Sequence, residues 1–233
     1  MILRHICLLY VLCYFAVLDT GVRAAQEQQQ NPWEETITFF EEWDRKNSYP
    51  SDAVLFVGSS SIRMWPTCEC FEEFDVINRG FGGSQISDVN YFAERIVLRY
   101  EPKVIVFYAG DNDVAGGKSA LRVFEDYKKF TNLVQKELPG IQIIFISIKP
   151  SQSRWSVWPV MNEANMLIKD FSDKDDRLFY FDGATPLLTE DGKPNSGLFL
   201  EDNLHLNSKG YELWTRLLKP VIRARLTSNE KEN

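Results

Sequence analysis

The 233-residue chain is predicted to be an α/β protein with a central parallel sheet of about five strands and helices on both faces. Short apolar runs without polar alternation are typical of strands that are buried on both sides, as in a parallel sheet. Between these runs, apolar residues recur at steps of three and four, which is the spacing of amphipathic helices. Because strands and helices alternate with no internal repeat and no linker, the pattern favours one doubly wound domain.

The elements follow one another in a regular order. The predicted strands are the apolar runs 53–57, 74–78, 103–108, 141–148 and 178–181. The first predicted helix begins at Asn31-Pro32, where asparagine suits the cap and proline suits the first helical position. Its large apolar residues share one face, which is expected to pack in the core: Trp33, Ile37, Phe40 and Trp43. The later helices are predicted at 87–100, 123–138, 160–171 and 208–226.

Residues 1–24 are predicted to be a secretory signal peptide. The run 6–18 is apolar and follows a short basic start, and small residues occupy the positions that a signal peptidase reads before cleavage after Ala24. We expect a flexible lead-in at 25–31, the folded domain at 32–226 and a polar tail at 227–233. The protein is then expected to be secreted, periplasmic or in a secretory lumen. An uncleaved membrane anchor is the alternative, although the apolar run is short for a bilayer span.

The net charge restricts the class of binding partner, and the cysteine content restricts the possible disulfide and metal sites. The formal net charge is −7, which argues against nucleic acid or an anionic membrane surface as an electrostatic partner. Cys68 and Cys70 remain once the signal is removed. A disulfide between them would close a small, strained ring, and a metal site would need further ligands nearby. We therefore expect a surface pair without a catalytic role.

The chain after the signal contains a single histidine, His205, three residues after Asp202. In a tight turn this spacing lets the carboxylate accept the proton on the ring nitrogen Nδ1, which leaves Nε2 free to act as a base. A purely structural reading is also open, in which Asn207 caps the last helix and His205 simply precedes it.

Three further polar or glycine-rich segments directly follow predicted strands, namely 58–61, 78–84 and 109–113. Serine and glycine commonly end strands and build turns, so each segment alone indicates little. Segment 80–83 also does not match the Gly-x-Gly-x-x-Gly pattern of dinucleotide-binding loops. However, the carboxyl ends of parallel strands meet at one edge of the sheet, where ligands bind. Together with the Asp202–His205 pair, the segments predict an active site at that edge.

Taken together, the four segments resemble the SGNH hydrolase superfamily, also called GDSL-type esterases and lipases, and are most similar to its platelet-activating-factor acetylhydrolase-like branch. The matching blocks are Val57-Gly58-Ser59-Ser60, Gly80-Phe81-Gly82-Gly83, Gly110-Asp111-Asn112-Asp113 and Asp202-Asn203-Leu204-His205. They occur in the family's order and span nearly the whole chain after the signal. The resemblance implies the three-layer, flavodoxin-like SGNH hydrolase fold and a serine esterase.

The resemblance also implies a role for each block. Ser60 would be the nucleophile, His205 the general base and Asp202 the residue that orients the imidazole. The oxyanion hole would be formed by the backbone N–H groups of Ser60 and Gly83 and by the side-chain amide of Asn112.

One position departs from the family pattern. Ser59 stands where the family usually has the aspartate of Gly-Asp-Ser. This leaves Ser59 and Ser61 as alternative nucleophiles, although the register against Gly58 favours Ser60.

The expected substrate is a small-molecule, lipid or glycan ester, and no metal or organic cofactor is implied. Trp65 follows the predicted nucleophile by a few residues, and Trp155 and Trp158 follow a strand. The three could line an acyl or sugar pocket, or could equally be lid packing. The absence of a long apolar lid favours short-chain, acetyl or lysophospholipid-like esters over triglycerides. Two rival functions are a non-catalytic glycan-binding module with the same fold and a flavin or redox protein on a similar sheet.

Overall fold

The computed structural model describes residues 31–228, which contain a five-stranded parallel sheet with strand order β2-β1-β3-β4-β5. The strands are β1 (Val54–Gly58), β2 (Val76–Gly80), β3 (Val104–Tyr108), β4 (Gln142–Ile146) and β5 (Leu178–Phe181). Every neighbouring pair runs parallel, with Gly58 in register with Gly80 on one side and with Tyr108 on the other. The predicted fold class is therefore confirmed, and the predicted strand runs overlap all five strands.

Helices of very different length connect the strands. The α-helices are α1 (Glu34–Lys46), α2 (Ser60–Arg63), α3 (Thr67–Cys70), α4 (Ile86–Ile96), α5 (Asp111–Ala115), α6 (Ala120–Glu137), α7 (Trp158–Ser172) and α8 (Ser208–Ser228). Short 3₁₀ turns lie at Leu98–Tyr100, Trp155–Val157, Thr185–Leu187 and Ser196–Leu198. The long helices match the predicted ones, whereas the one-turn helices α2, α3 and α5 lack the apolar periodicity that would predict them.

The sheet is covered by helices on both faces because neighbouring residues of a strand point to opposite sides. On β3, the Phe107 ring lies 4.5 Å from the Phe130 ring of α6, centroid to centroid. The next residue, Tyr108, lies 5.4 Å from the Trp214 ring of α8. Both faces of β3 are thus filled by aromatic side chains, which explains why its sequence is apolar without alternation.

The contact pattern divides the chain into two units between Thr38 and Phe39, inside α1, and all functional residues considered below belong to the second unit. On α1, Ile37 is buried, but Trp43 is 55% exposed, so its predicted core position is wrong. None of the helices in 31–228 is long and apolar enough to cross a membrane. The predicted signal peptide and most of the polar tail lie outside the described residues.

Candidate active site

Ser60 lies at the first position of α2, directly after strand β1. The strand ends at Gly58, whose φ of +140° is a conformation that residues with a side chain rarely adopt. A β-carbon on Gly58 would lie only 1.8 Å from the carbonyl oxygen of Tyr108 on the neighbouring strand. Glycine at this point lets the chain turn sharply from the sheet into α2, which presents Ser60 at the carboxyl edge.

Ser60, His205 and Asp202 form a chain of two hydrogen bonds. The His205 Nε2 atom lies 2.9 Å from Ser60 Oγ, and its Nδ1 atom lies 2.6 Å from Asp202 Oδ2. When Nδ1 carries the proton and donates a hydrogen bond to the carboxylate, Nε2 is left to accept the hydrogen bond of the serine hydroxyl. The structure thus brings together all three residues that the sequence predicts as nucleophile, base and acid.

The turn that carries His205 is built by the Asp202 carboxylate. Its Oδ1 atom accepts hydrogen bonds from the backbone N–H groups of Leu204, at 2.9 Å, and His205, at 3.0 Å. Asn203, between Asp202 and Leu204, adopts φ +55°, which asparagine tolerates better than most residues. The hydrogen bond from the His205 side chain, followed by that from its backbone N–H, lowers the pKa of Asp202 to about 2. The carboxylate is therefore ionised at neutral pH and faces the imidazole.

The other two serines of the triplet are more deeply buried than Ser60. Ser59 and Ser61 are fully buried, whereas Ser60 keeps 8% of its surface exposed. The peptide N–H of Ser59 donates to the Tyr108 carbonyl, and the Ser61 carbonyl accepts a hydrogen bond from the Tyr211 hydroxyl at 3.0 Å. This packing holds α2 against the sheet and leaves Ser60 as the serine of the triplet that contacts His205.

Gly83 and Asn112 lie in the loops that follow β2 and β3. Gly83 is exposed with φ +79°, and a β-carbon there would meet no atom within 4 Å. The Asn112 side chain donates from Nδ2 to the Ser84 carbonyl at 3.0 Å, which ties the third loop to the second next to Gly83. Asp113 reinforces this link, because its carboxylate accepts the N–H of Ile86 at the start of α4. Both predicted oxyanion-hole residues thus belong to one connected loop pair.

Comparison with known proteins decides the family. The model of the GDSL-like Lipase/Acylhydrolase family matches residues 64–213. The chain belongs to the GDSL-like lipase/acylhydrolase family. It is accordingly an ester-bond hydrolase, and the predicted family resemblance is confirmed. The matched region begins just after Ser60, so the position of the serine rests on the geometry described above.

Solved structures share the fold of this GDSL-like acylhydrolase at low sequence identity. A provisionally assigned platelet activating factor from Streptococcus pneumonia is 19% identical, with a TM-score of 0.72 over 89% of this chain and 98% of its own. A GDSL-like lipase from Bacteroides thetaiotaomicron is 19% identical, with a TM-score of 0.69 over 81% and 97%. A carbohydrate esterase family 3 protein from Talaromyces cellulolyticus is 18% identical, with a TM-score of 0.62 over 77% and 99%. A comparison with curated proteins finds no match.

The three tryptophans predicted beside the site of the acylhydrolase lie in different surroundings. Trp65 is 2% exposed, and its Nε1–H donates to Thr215 on α8. Its ring packs among Phe56, Phe71, Tyr211 and Trp214. Since a ring enclosed by core residues cannot wall an open pocket, its placement argues against the predicted substrate-binding role.

Trp155 and Trp158, by contrast, lie near the surface in the segment after β4. Trp155 is 36% exposed and Trp158 is half-buried. Their rings stack almost parallel, with centroids 6.2 Å apart and planes 10° from each other. A stacked pair of this kind offers a flat apolar surface.

The sequence alone did not identify a buried group of charges beside Asn112. Arg154, in the loop after β4, donates to the Asn112 Oδ1 atom at 2.8 Å. Its guanidinium also lies 3.0 Å from the Asp111 carboxylate, which is paired with Lys149 at 3.2 Å. The sequence does show two basic residues, Lys149 and Arg154, in the segment after β4. Which side chains they contact depends on how that loop folds.

Metal-binding side chains are not clustered in this part of the chain. Residues 31–228 contain no group of three or more histidine, cysteine, aspartate or glutamate side chains that could hold a metal ion. Cys68 is exposed and Cys70 half-buried, and both are free thiols.

Proposed function

We propose that this protein is a secreted serine esterase that hydrolyses carboxylic esters through an acyl-enzyme on Ser60. His205 takes the hydroxyl proton of Ser60 as the oxygen attacks the ester carbonyl, and then delivers that proton to the departing alcohol. Water, deprotonated by His205, attacks the acyl-enzyme and releases the carboxylic acid. Asp202 orients the imidazole and stabilises its positive charge in both steps.

The tetrahedral intermediate in this mechanism carries its negative charge on the former carbonyl oxygen. We assign the stabilisation of that oxyanion to the backbone N–H groups of Ser60 and Gly83 and to the side-chain amide of Asn112. Removal of one such donor typically reduces kcat by about 100- to 1,000-fold. The Asn112 amide has two N–H groups. One donates to the Ser84 carbonyl, and we assign the other to the oxyanion.

The observation that carries the proposal is the unbroken hydrogen-bond chain from Ser60 Oγ through His205 to Asp202, at 2.9 and 2.6 Å. A serine hydroxyl is activated as a nucleophile when it is hydrogen-bonded to a base that a third group orients. The ionised state of Asp202 supports the same role, because its charge compensates the imidazolium that forms during attack.

We propose short-chain, acetyl or lysophospholipid-like esters as substrates. The stacked Trp155–Trp158 surface would contact the acyl or alcohol group, in keeping with the carbohydrate esterase among the proteins of similar fold. Export from the cytoplasm is proposed from the apolar run 6–18 and the small residues before Ala24.

The proposal is tested by reaction of the protein with a fluorophosphonate, followed by peptide mass spectrometry and assays on p-nitrophenyl esters of increasing chain length. We expect the label on Ser60 and fastest turnover of the acetyl or another short ester. The Ser60→Ala variant should lose both label and turnover but keep its circular dichroism spectrum, because Ser60 is not part of the apolar core. Ser48→Ala serves as the control, since it removes an exposed hydroxyl from the segment before β1.

Two outcomes would contradict this assignment. Full turnover by Ser60→Ala together with loss in Ser61→Ala would move the nucleophile to the neighbouring serine. A folded wild-type protein with neither label nor turnover would favour the glycan-binding module, which would then be screened against glycans.

A further inference from the structure

The orientation of the Asn112 side chain is fixed from both of its ends. Its Nδ2 atom donates to the Ser84 carbonyl at 3.0 Å, and its Oδ1 atom accepts from the Arg154 guanidinium at 2.8 Å. A guanidinium can only donate, so this contact holds the amide oxygen at Arg154 and the NH₂ group on the opposite side. Arg154 therefore prevents the amide from flipping.

Arg154 is itself held in place by a buried group of charges. The Asp111 carboxylate lies 3.0 Å from the Arg154 guanidinium and 3.2 Å from the Lys149 ammonium. The side chains of Asp111 and Lys149 are only 3% and 1% exposed. Although burial alone would raise the pKa of Asp111, the charges of Lys149 and Arg154 together lower it, so the carboxylate remains ionised. The two cations, Lys149 and Arg154, and the one anion, Asp111, together carry a net positive charge beside Asn112.

The loop that carries Arg154 also contacts the segment that carries the histidine. The backbone N–H of Ser153 donates to the Asn203 carbonyl at 3.1 Å, between Asp202 and His205. Gln152 donates from its side chain to the Pro194 carbonyl at 3.1 Å. Arg154 is thus held in a loop that is linked both to the Asn112 loop and to the His205 turn.

We propose that Arg154 is a positioning residue for the oxyanion hole, which acts through Asn112 and makes no contact with the substrate. Its charge-assisted hydrogen bond fixes the amide so that the second N–H points toward the oxyanion. The same bond draws electron density toward Oδ1 and makes that N–H a stronger donor. This inference rests on the proposed function, because it assumes that Asn112 stabilises the oxyanion.

A simple role in folding predicts a different result from a positioning role. If Arg154 only neutralised Asp111, its loss would lower the melting temperature and leave the kinetics of the folded fraction unchanged. If it bound substrate, its loss would raise KM. A positioning residue instead lowers kcat at constant KM, because the affected bond strengthens in the transition state.

The test is a double-mutant cycle between Arg154→Met and Asn112→Ala, measured as kcat and KM on p-nitrophenyl acetate. Arg154→Met alone should reduce kcat by about 10- to 100-fold, the effect expected for one lost charged hydrogen bond. In the Asn112→Ala background the same change should cost less than about threefold, because the residue through which it acts is gone. Arg154→Lys should fall between wild type and Arg154→Met, since an ammonium lacks the fork that contacts Asp111 and Asn112 together.

Arg177→Met is the matched control. Arg177 pairs with Asp175 at 2.7 Å just before β5, at the opposite edge of the sheet, and its loss should leave kcat and KM unchanged. An equal loss from Arg154→Met in both backgrounds would overturn the proposal, as would a rise in KM at constant kcat.

A second measurement does not depend on catalysis. The side-chain amide NMR signals of Asn112, assigned by their absence in Asn112→Ala, should shift or broaden in Arg154→Met, whereas Arg177→Met should leave them in place. Unchanged signals would overturn the positioning role even if the esterase assignment holds. Conversely, full turnover by Ser60→Ala would reject the proposed nucleophile without affecting the NMR result, so the two failures are distinguishable.

Discussion

Burial and the contact with His205 distinguish Ser60 from the other two serines of the triplet. Ser59 and Ser61 are both fully buried after the turn at Gly58. Ser60 is left at the first position of α2 with its hydroxyl 2.9 Å from His205. The register against Gly58 favours Ser60 as the nucleophile, and this contact supports that proposal.

At the same scale, Asp202→Asn separates the charge of the carboxylate from its structural role. Asparagine keeps an oxygen that can accept from Leu204 and His205, so the turn should persist. It cannot compensate an imidazolium, and it favours the wrong histidine tautomer by donating to Nδ1. We expect kcat on p-nitrophenyl acetate to fall by about 1,000- to 10,000-fold with a melting temperature close to that of wild type.

Asp202→Ala is the comparison variant for this prediction. It removes both the charge and the two backbone contacts, so its melting temperature should fall below that of Asp202→Asn. An Asp202→Asn enzyme with more than about a tenth of wild-type kcat would contradict a role for the carboxylate in catalysis, because such losses are normally far larger.

At the scale of elements, the close approach of β1 and β3 fixes where Ser60 can lie. Gly58→Ala would bring a β-carbon to 1.8 Å from the Tyr108 carbonyl, which is main chain and cannot rotate away. It would also impose a side chain on a residue with φ +140°. We expect the free energy of unfolding in urea to fall by about 3 kcal/mol or more, from steric overlap combined with backbone strain.

Gly140→Ala separates these two contributions. Gly140 also has a positive φ, +86°, but a β-carbon there would meet no atom within 4 Å, and it lies at the other edge of the sheet before β4. Its substitution should cost only about 1 to 2 kcal/mol of backbone strain and leave kcat unchanged. Equal losses of stability in both variants would show that the contact with Tyr108 contributes little.

The sequence predicted those elements that leave a pattern in consecutive residues. Strands such as Val104–Tyr108 are apolar without alternation because both of their faces are covered, and their polar ends meet because the sheet is parallel. The surroundings of Trp65 and Trp43 were not predictable in this way, since one helical turn or one face of a helix can pack in several orientations. The contact of Arg154 with Asn112 was also hidden, because it depends on the path of a loop.

At the scale of the whole molecule, burial of titratable groups couples stability to pH. Burial is the main reason that the pKa of Tyr100 rises to about 12, assisted by its hydrogen bond to Asp44. Burial likewise raises the pKa of Tyr180, on β5, to about 12. In the unfolded chain both phenols have a pKa near 10. Folding therefore favours their neutral form.

The sign of this coupling predicts loss of stability in alkali. Because the folded pKa values lie above the unfolded ones, the contribution of both tyrosines is complete below pH 10 and is lost between pH 10 and 12. We expect the melting temperature, measured by circular dichroism, to fall over this range. Tyr180→Phe keeps the ring but removes the phenol, so its melting temperature should fall less steeply with pH. A wild-type melting temperature that falls no more steeply between pH 10 and 12 than that of Tyr180→Phe would contradict the coupling at this residue.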